Sequence, residues 1–173
     1  MESVKDISEH LRGVALGDTK AFEALYTALV DRVFAYVAAR TNSREDAYEV
    51  TQDSFVELYR ALPKFTYSTD SGFYAYLFTI VKRQLARYYD AKQKEPRSAV
   101  DPDTIAENRE HERDEAVAQA LKTLDERTRE IIELHHWSRF TFGEIASMLG
   151  MTESAVRVRH HRALGSLAHL LIT

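Results

Sequence analysis

At 173 residues the chain is long enough for one ordinary domain or two small ones, and with no cysteine it can form neither disulfides nor thiolate metal sites, which fits a reducing compartment. Its 45% hydrophobic share and low glycine and proline content indicate a helix-rich globular protein, and no apolar run approaches the roughly 20 residues of a membrane span. The acidic, polar opening MESVKDISEHLRG is no secretory signal, so a cytoplasmic location without membrane association is expected.

Gly17 and Asp18 precede a segment in which Phe22, Leu25, Tyr26, Leu29, Val33 and Val37 form a broad apolar stripe at helical spacing. Thr41-Asn42-Ser43 ends that helix and can cap the next. The second helix, over about 44–62, buries Ala47, Val50, Phe55, Leu58, Tyr59 and Leu62, and Pro63 closes it. Its outer face carries Glu49, Gln52, Asp53 and Glu57. Taken alone, an acidic exposed face is an ordinary solubility device.

Residues 64–72, KFTYSTDSG, read as a polar loop bearing Phe65 and Tyr67. A helix over about 73–92 turns Phe73, Tyr76, Leu77, Ile80, Val81 and Tyr88 inward and arranges Tyr74, Phe78, Lys82, Arg83, Arg87 and Tyr89 around them. Aromatics interleaved with cations suit single-stranded nucleic acid, because bases stack on rings while lysine and arginine follow the phosphates. The alternative is that most of these rings are core, and the sequence leaves both readings open.

The net charge of −4 is awkward for a nucleic-acid-binding protein, but it is unevenly spread. Residues 82–97 hold Lys82, Arg83, Arg87, Lys92, Lys94 and Arg97 against Asp90 and Glu95, whereas 101–116 hold seven acids against Arg109 and Arg113. Residues 93–115 carry two of the three prolines and almost no large apolar side chain, as a linker does. The helical pattern resumes from 116 through Ala120, Leu121 and Leu124, and Asp125 caps a segment containing Ile131, Ile132, Leu134 and Trp137.

Thr141 followed three residues later by Glu144 is a capping box, and Phe142, Ile145, Ala146 and Leu149 recur on one helical face. Gly150 stops that helix, since glycine accepts the left-handed conformation of a C-terminal turn. Thr152 can cap a second helix with Glu153 at its positive end. On that helix Val156, Ala163, Leu164, Leu167 and Leu171 gather on one side. Ser154, Val158, His161 and Arg162 point the opposite way, with Arg157 and Arg159 on the flanks. Two helices about a tight glycine turn form a helix-turn-helix, whose second helix lies in the major groove, and arginine suits bidentate contact with guanine and phosphate. The competing reading is a solvated face on the last helix of a helical domain.

Nothing in the chain resembles a catalytic constellation. The histidines occur as adjacent pairs, His135-His136 and His160-His161, and neighbouring side chains on a helix point about 100° apart, so neither pair chelates a metal alone. There is no phosphate-binding glycine loop and no nucleophile with a base, so neither an enzyme nor a cofactor or metal site is expected.

Together these residues resemble the bacterial RNA polymerase sigma factors of the extracytoplasmic-function type, over about residues 18–171. LDERTREIIELHHWSRFTFGEIASMLGMTESAVRVRHHRALGSL, 124–167, is similar to that family's region four, and REDAYEVTQDSFVELYRAL, 44–62, to the polymerase-binding helix of region two. FYAYLFTIVKRQLARYY, 73–89, is similar to its promoter-melting helix, although Tyr76 stands where tryptophan is common and Arg83 and Arg87 where asparagine and aspartate are frequent.

The resemblance implies an all-α protein of two small helical domains, region two over 1–92 and region four over 116–173, joined by a linker at 93–115. It implies that Glu49, Gln52 and Asp53 dock on core RNA polymerase. Phe65, Tyr67, Tyr74, Lys82, Arg83 and Arg87 would take the unpaired non-template strand of the minus-ten element. Ser154, Arg157, Val158, Arg159, His161 and Arg162 would read the minus-thirty-five duplex. An anti-sigma factor is a further partner the family implies. The rival readings are a stand-alone helix-turn-helix regulator and an adaptor that binds only protein.

Overall fold

The computed structural model describes residues 7–94, 117 and 119–172, and every described element is helical. The first helix, α1 (Ile7–Ala15), buries Ile7, Leu11 and Val14. It lies in the stretch read from sequence only as an acidic, polar lead. It abuts the next helix closely enough that a Cβ on Gly13 would stand 2.6 Å from that of Ala21. Gly17 then turns the chain at φ 82°, and the Asp18 carboxylate accepts the Lys20 amide at 2.9 Å to start α2 (Thr19–Ala38).

Helix α2 buries Leu25, Leu29, Val33 and Val37 as expected, and also Tyr36, which is off the anticipated stripe. Ser43 caps α3 (Arg44–Ala61) by accepting the Asp46 amide at 3.0 Å. Ala47, Val50, Phe55 and Leu58 are buried, but Tyr59 is not, contrary to expectation: it is 47% exposed, with its ring edge-on to Phe22 at 4.8 Å. A 3-10 turn at Leu62–Lys64, led by Pro63, takes the chain out of the helix.

Helix α4 (Asp70–Lys94) begins three residues before the predicted start, because the Thr69 hydroxyl accepts the Gly72 amide at 3.1 Å and extends the helix backwards. At its other end it takes in 93 and 94, the first residues of the expected linker; 95–115 lie outside the described residues. The second half comprises a helical segment at 117 and 119–122, then α5 (Glu126–His136), α6 (Phe142–Leu149) and α7 (Glu153–Ile172). Asp125 caps α5, accepting the Thr128 amide at 3.1 Å. The capping box of α6 is complete, with Glu144 amide to Thr141 hydroxyl at 3.3 Å and Thr141 amide to Glu144 carboxylate at 2.8 Å. Gly150 ends α6 at φ 63°, and Thr152 caps α7 through the Ala155 amide.

The two halves share one core. Ile131, Leu134, Phe140, Ile145, Leu149 and Val156 belong to the same buried cluster as Leu77, Phe78 and Val81, and α6 lies along α4. A small satellite cluster of Ala120, Leu121, Ile132, Ala163 and Leu167 closes the far side. Two rings expected on the outside of α4 are therefore inside: Tyr74 is 1% and Phe78 4% exposed. The physical reason is that α4 packs on α2 and α3 with one side and on α6 with another, so most of its circumference is apolar.

Candidate nucleic-acid interface

The recognition unit is built as its sequence dictates, except that Leu164, expected on the inner side of α7, is 39% exposed. Ser154, Val158, His161 and Arg162 all stand exposed on the outer side of α7, while Val156 and Ala163 anchor its inner side. Arg157 is held on the flank by Glu153, which accepts its Nε at 3.0 Å, and its guanidinium lies 5.0 Å from the Phe142 ring. Arg159 turns back toward α5, donating to the Thr128 hydroxyl at 3.3 Å and lying 3.6 Å from the Asp125 carboxylate. The Thr128 hydroxyl, then its amide, hold the Asp125 carboxyl below the usual carboxylate range. Arg157 and Arg159 thus flank the exposed face at fixed positions, and Arg162 and His161 lie on it.

What seats this helix is a histidine cluster that the adjacent-pair reading missed. His160 is buried, and its Nε2 lies 2.9 Å from that of His136, 24 residues away on α5, with the two rings stacked at 5.1 Å. His135 stacks on Phe142 at 4.2 Å and bonds the Phe140 carbonyl through Nδ1 at 3.0 Å. Burial, then the neighbouring His135, pushes His160 down to about 4, and burial lowers His136 as well. Among the described residues no group of three or more His, Cys, Asp or Glu side chains is placed to hold a metal ion.

The residues expected to face single-stranded nucleic acid fall into three places. Phe65 stacks on Tyr76 at 4.7 Å, and the Tyr67 hydroxyl donates to Asp70 at 2.7 Å, so the loop aromatics form one group at the start of α4. Arg83 and Arg87 both face Glu57 of α3, Arg83 in a direct ion pair and Arg87 at 3.5 Å. Tyr74 and Lys82 lie on a third side, beneath the second half of the chain. The Lys82 ammonium is 2.9 Å from Glu130, and the Tyr74 ring is 6.0 Å from Phe140.

That covered side is richly bonded. Arg32 pairs with Glu144 at 2.7 Å, donates to the Ser138 carbonyl at 3.3 Å and lies 3.9 Å from the Phe140 ring. Arg40 pairs with Glu133, and the Tyr36 hydroxyl donates to Glu130 at 2.8 Å. Burial, followed by the Glu144 carboxylate, pushes the Tyr74 hydroxyl up to about 12. The loop that delivers Phe140 is tight: Arg139 adopts φ 56°, a left-handed conformation uncommon outside glycine.

On α3, Glu49, Gln52 and Asp53 are all exposed, as their position opposite the apolar stripe predicts. The sequence reading missed their neighbours. Tyr48, Val56 and Tyr59 are 52%, 43% and 47% exposed, so the acidic residues lie within a strip that is half apolar. Such a mixture suits protein contact better than solvent alone.

Two family models match the chain, Sigma-70 region 2 over residues 25–95 and Sigma-70 region 4 over 114–167. The sequence is 31% identical to the ECF RNA polymerase sigma-E factor of Salmonella typhimurium, covering 87% of this chain and 86% of that protein. It is 28% identical to the ECF RNA polymerase sigma factor SigK of Mycobacterium tuberculosis, covering 96% of this chain and 94% of the relative. With the ECF RNA polymerase sigma factor BldN of Streptomyces coelicolor the identity is 26%, and the match spans 62% of that longer protein. Among solved structures, CnrH in complex with the cytosolic domain of CnrY is similar at a TM-score of 0.62 and 27% identity, over 94% of each chain.

Proposed function

The chain belongs to the ECF RNA polymerase sigma factors, regulators rather than enzymes that bind core RNA polymerase and direct initiation at promoters, and from that premise we propose how its surfaces divide the work. Residues 1–92 form the polymerase-binding and minus-ten unit, 93–115 the linker, and 116–173 the minus-thirty-five unit. Ser154, Val158, His161 and Arg162 face the bases of the minus-thirty-five duplex, while Arg157 and Arg159 sit where the flanking phosphates pass. Phe65, Tyr67, Tyr74, Lys82, Arg83 and Arg87 serve the non-template strand of the minus-ten element, and Glu49, Gln52 and Asp53 bind core polymerase. No described helix is long and apolar enough to cross a membrane. A protein domain, as the cytosolic domain of CnrY is for CnrH, is proposed as a further partner.

The observation that supports this division best is the exposed face of α7, four outward side chains held in place by a complete capping box and a left-handed glycine turn. In transcription with core polymerase on a randomised promoter library, Arg162→Ala should relax one position of the selected minus-thirty-five motif, at a cost of about 1–3 kcal/mol. An unchanged motif and unchanged affinity would remove Arg162 from the reading face. The polymerase-binding assignment has its own test. Replacing Gln52 and Asp53 with alanine should weaken association with core polymerase while leaving thermal unfolding almost unchanged, because both are exposed.

A further inference from the structure

Phosphate contacts set the register and orientation of a protein on duplex DNA, and a phosphate-binding arginine does this best when its guanidinium is held before the DNA arrives. Arg157 is held in this way. Its Nε donates to Glu153 Oε1 at 3.0 Å and its Nη2 donates to the same oxygen, one helical turn back on α7. The Phe142 ring lies 5.0 Å from the guanidinium carbon. That ring is itself held, stacking on His135 at 4.2 Å and meeting His160 edge-on at 4.9 Å. With Nε and one Nη2 hydrogen engaged, a fork of one N–H on each Nη remains, which matches two oxygens of one phosphate.

Neither stability nor affinity accounts for Glu153. The Arg157 and Glu153 side chains are 61% and 49% exposed, and an exposed ion pair does little for a fold. A carboxylate beside the path of the phosphates also repels the duplex. On the opposite flank Arg159 is fixed too, by the Thr128 hydroxyl and Asp125. The Arg162 guanidinium on the reading face, by contrast, has no hydrogen bond or ion pair among the described residues. The cations that straddle the helix are restrained, and the one aimed at the bases is free to adapt.

Resting on the placement of α7 in the minus-thirty-five duplex, we propose that Glu153 is a positioning residue for promoter recognition: with Phe142 it fixes Arg157 for one phosphate and so sets the register of α7 in the groove. Its effect is on the ratio of promoter to non-promoter binding. Without Glu153, Arg157 reaches phosphates of any sequence from several rotamers, and Ser154, Val158, His161 and Arg162 lose their fixed height over the base pairs.

Holoenzyme built with the full-length chain tests this by anisotropy on two labelled duplexes, one carrying the selected minus-thirty-five motif and one with that motif scrambled. Glu153→Ala should tighten binding to the scrambled duplex. It should also lower the promoter-to-scrambled ratio about fivefold, the effect of having to order one long side chain on binding. Glu153→Gln, whose amide oxygen still accepts from Nε, should keep most of the ratio. An unchanged ratio in Glu153→Ala would overturn the proposal.

Glu153 also lies in the first turn of α7, where a carboxylate favours the helix, so fraying is another way to lower the ratio. The same substitution in an Arg157→Ala background separates the two. A positioning residue then has nothing left to position, so the fall should vanish; a fall that persists belongs to the helix end and overturns the clamp. Arg157→Ala alone tests the underlying reading. If it changes neither affinity nor the selected motif, Arg157 lies off the DNA and the docking of this flank fails. If it weakens promoter binding while Glu153→Ala leaves the ratio intact, only the positioning role fails.

Discussion

His160 illustrates how a single side chain joins stability to function in this chain. It lies on the inner side of the recognition helix, two residues beyond Val158, and its bond to His136 requires at least one of the two rings to be neutral. Its folded value of about 4 lies below the ordinary 6.5, so protons bind the unfolded chain more readily than the folded one. The stability it contributes is complete above about pH 6.5 and is lost progressively as pH falls toward 4. Thermal unfolding midpoints should hardly change above that range and decline below it. His160→Phe, which keeps a ring beside His136 but cannot titrate, should flatten the decline; an unchanged slope would assign it to other groups. The outward residues of α7 were legible from helical geometry alone, since their rotation about the axis follows from spacing. His160 was not, because adjacency in sequence says nothing about a partner across a helix pair.

At the scale of elements, helix ends were the most legible feature, because caps are local. Asp18, Ser43, Asp125, Thr141, Gly150 and Thr152 all start or stop helices where the sequence placed them. The start of α4, three residues early at its Thr69 cap, is the exception, and the other errors came from burial that depends on a second element. Tyr59 emerged because α2 leaves it at an edge, and Tyr74 submerged because α6 covers it. Helix α1 escaped notice because Ile7, Leu11 and Val14 make too short a stripe among charges, and its fit depends on Gly13 meeting α2. That contact gives a paired prediction. Gly13→Ala places a methyl 2.6 Å from the Ala21 Cβ, neither of which can swing away, and should destabilise the fold by about 1–3 kcal/mol. Gly165→Ala in α7 meets nothing within 4 Å and should stabilise it by up to about 1 kcal/mol. Urea denaturation of both variants checks the pair, and two changes of the same sign would contradict the packing described for α1.

The arrangement of the whole molecule was the least legible level. A charged linker after α4 reads as a tether between independent domains, yet Arg32 and Glu144 stand 112 positions apart and Tyr36 and Glu130 94 apart, separations that no periodicity records. The second half keeps a small cluster of Ala120, Leu121, Ile132, Ala163 and Leu167 to itself, while its larger buried residues, Ile131, Leu134, Phe140, Ile145, Leu149 and Val156, belong to one cluster with those of α2 and α4. A unit of that size is marginal alone, so the halves should unfold together. Trp137, the only tryptophan, lies in the second half and is 48% exposed, which makes its fluorescence a local reporter against the far-ultraviolet signal of all the helices. The two denaturation curves should coincide in the unmodified chain. Arg32→Met leaves Glu144 buried beside an apolar side chain and should cost about 3–5 kcal/mol, much of it recovered when Glu144→Gln is added, since removing both charges relieves the uncompensated one. In Arg32→Met the tryptophan signal should change first, because the second half loses its anchor while α1 to α3 keep their own contacts. An earlier tryptophan transition in the unmodified chain would instead mean that the shared core does not couple the halves.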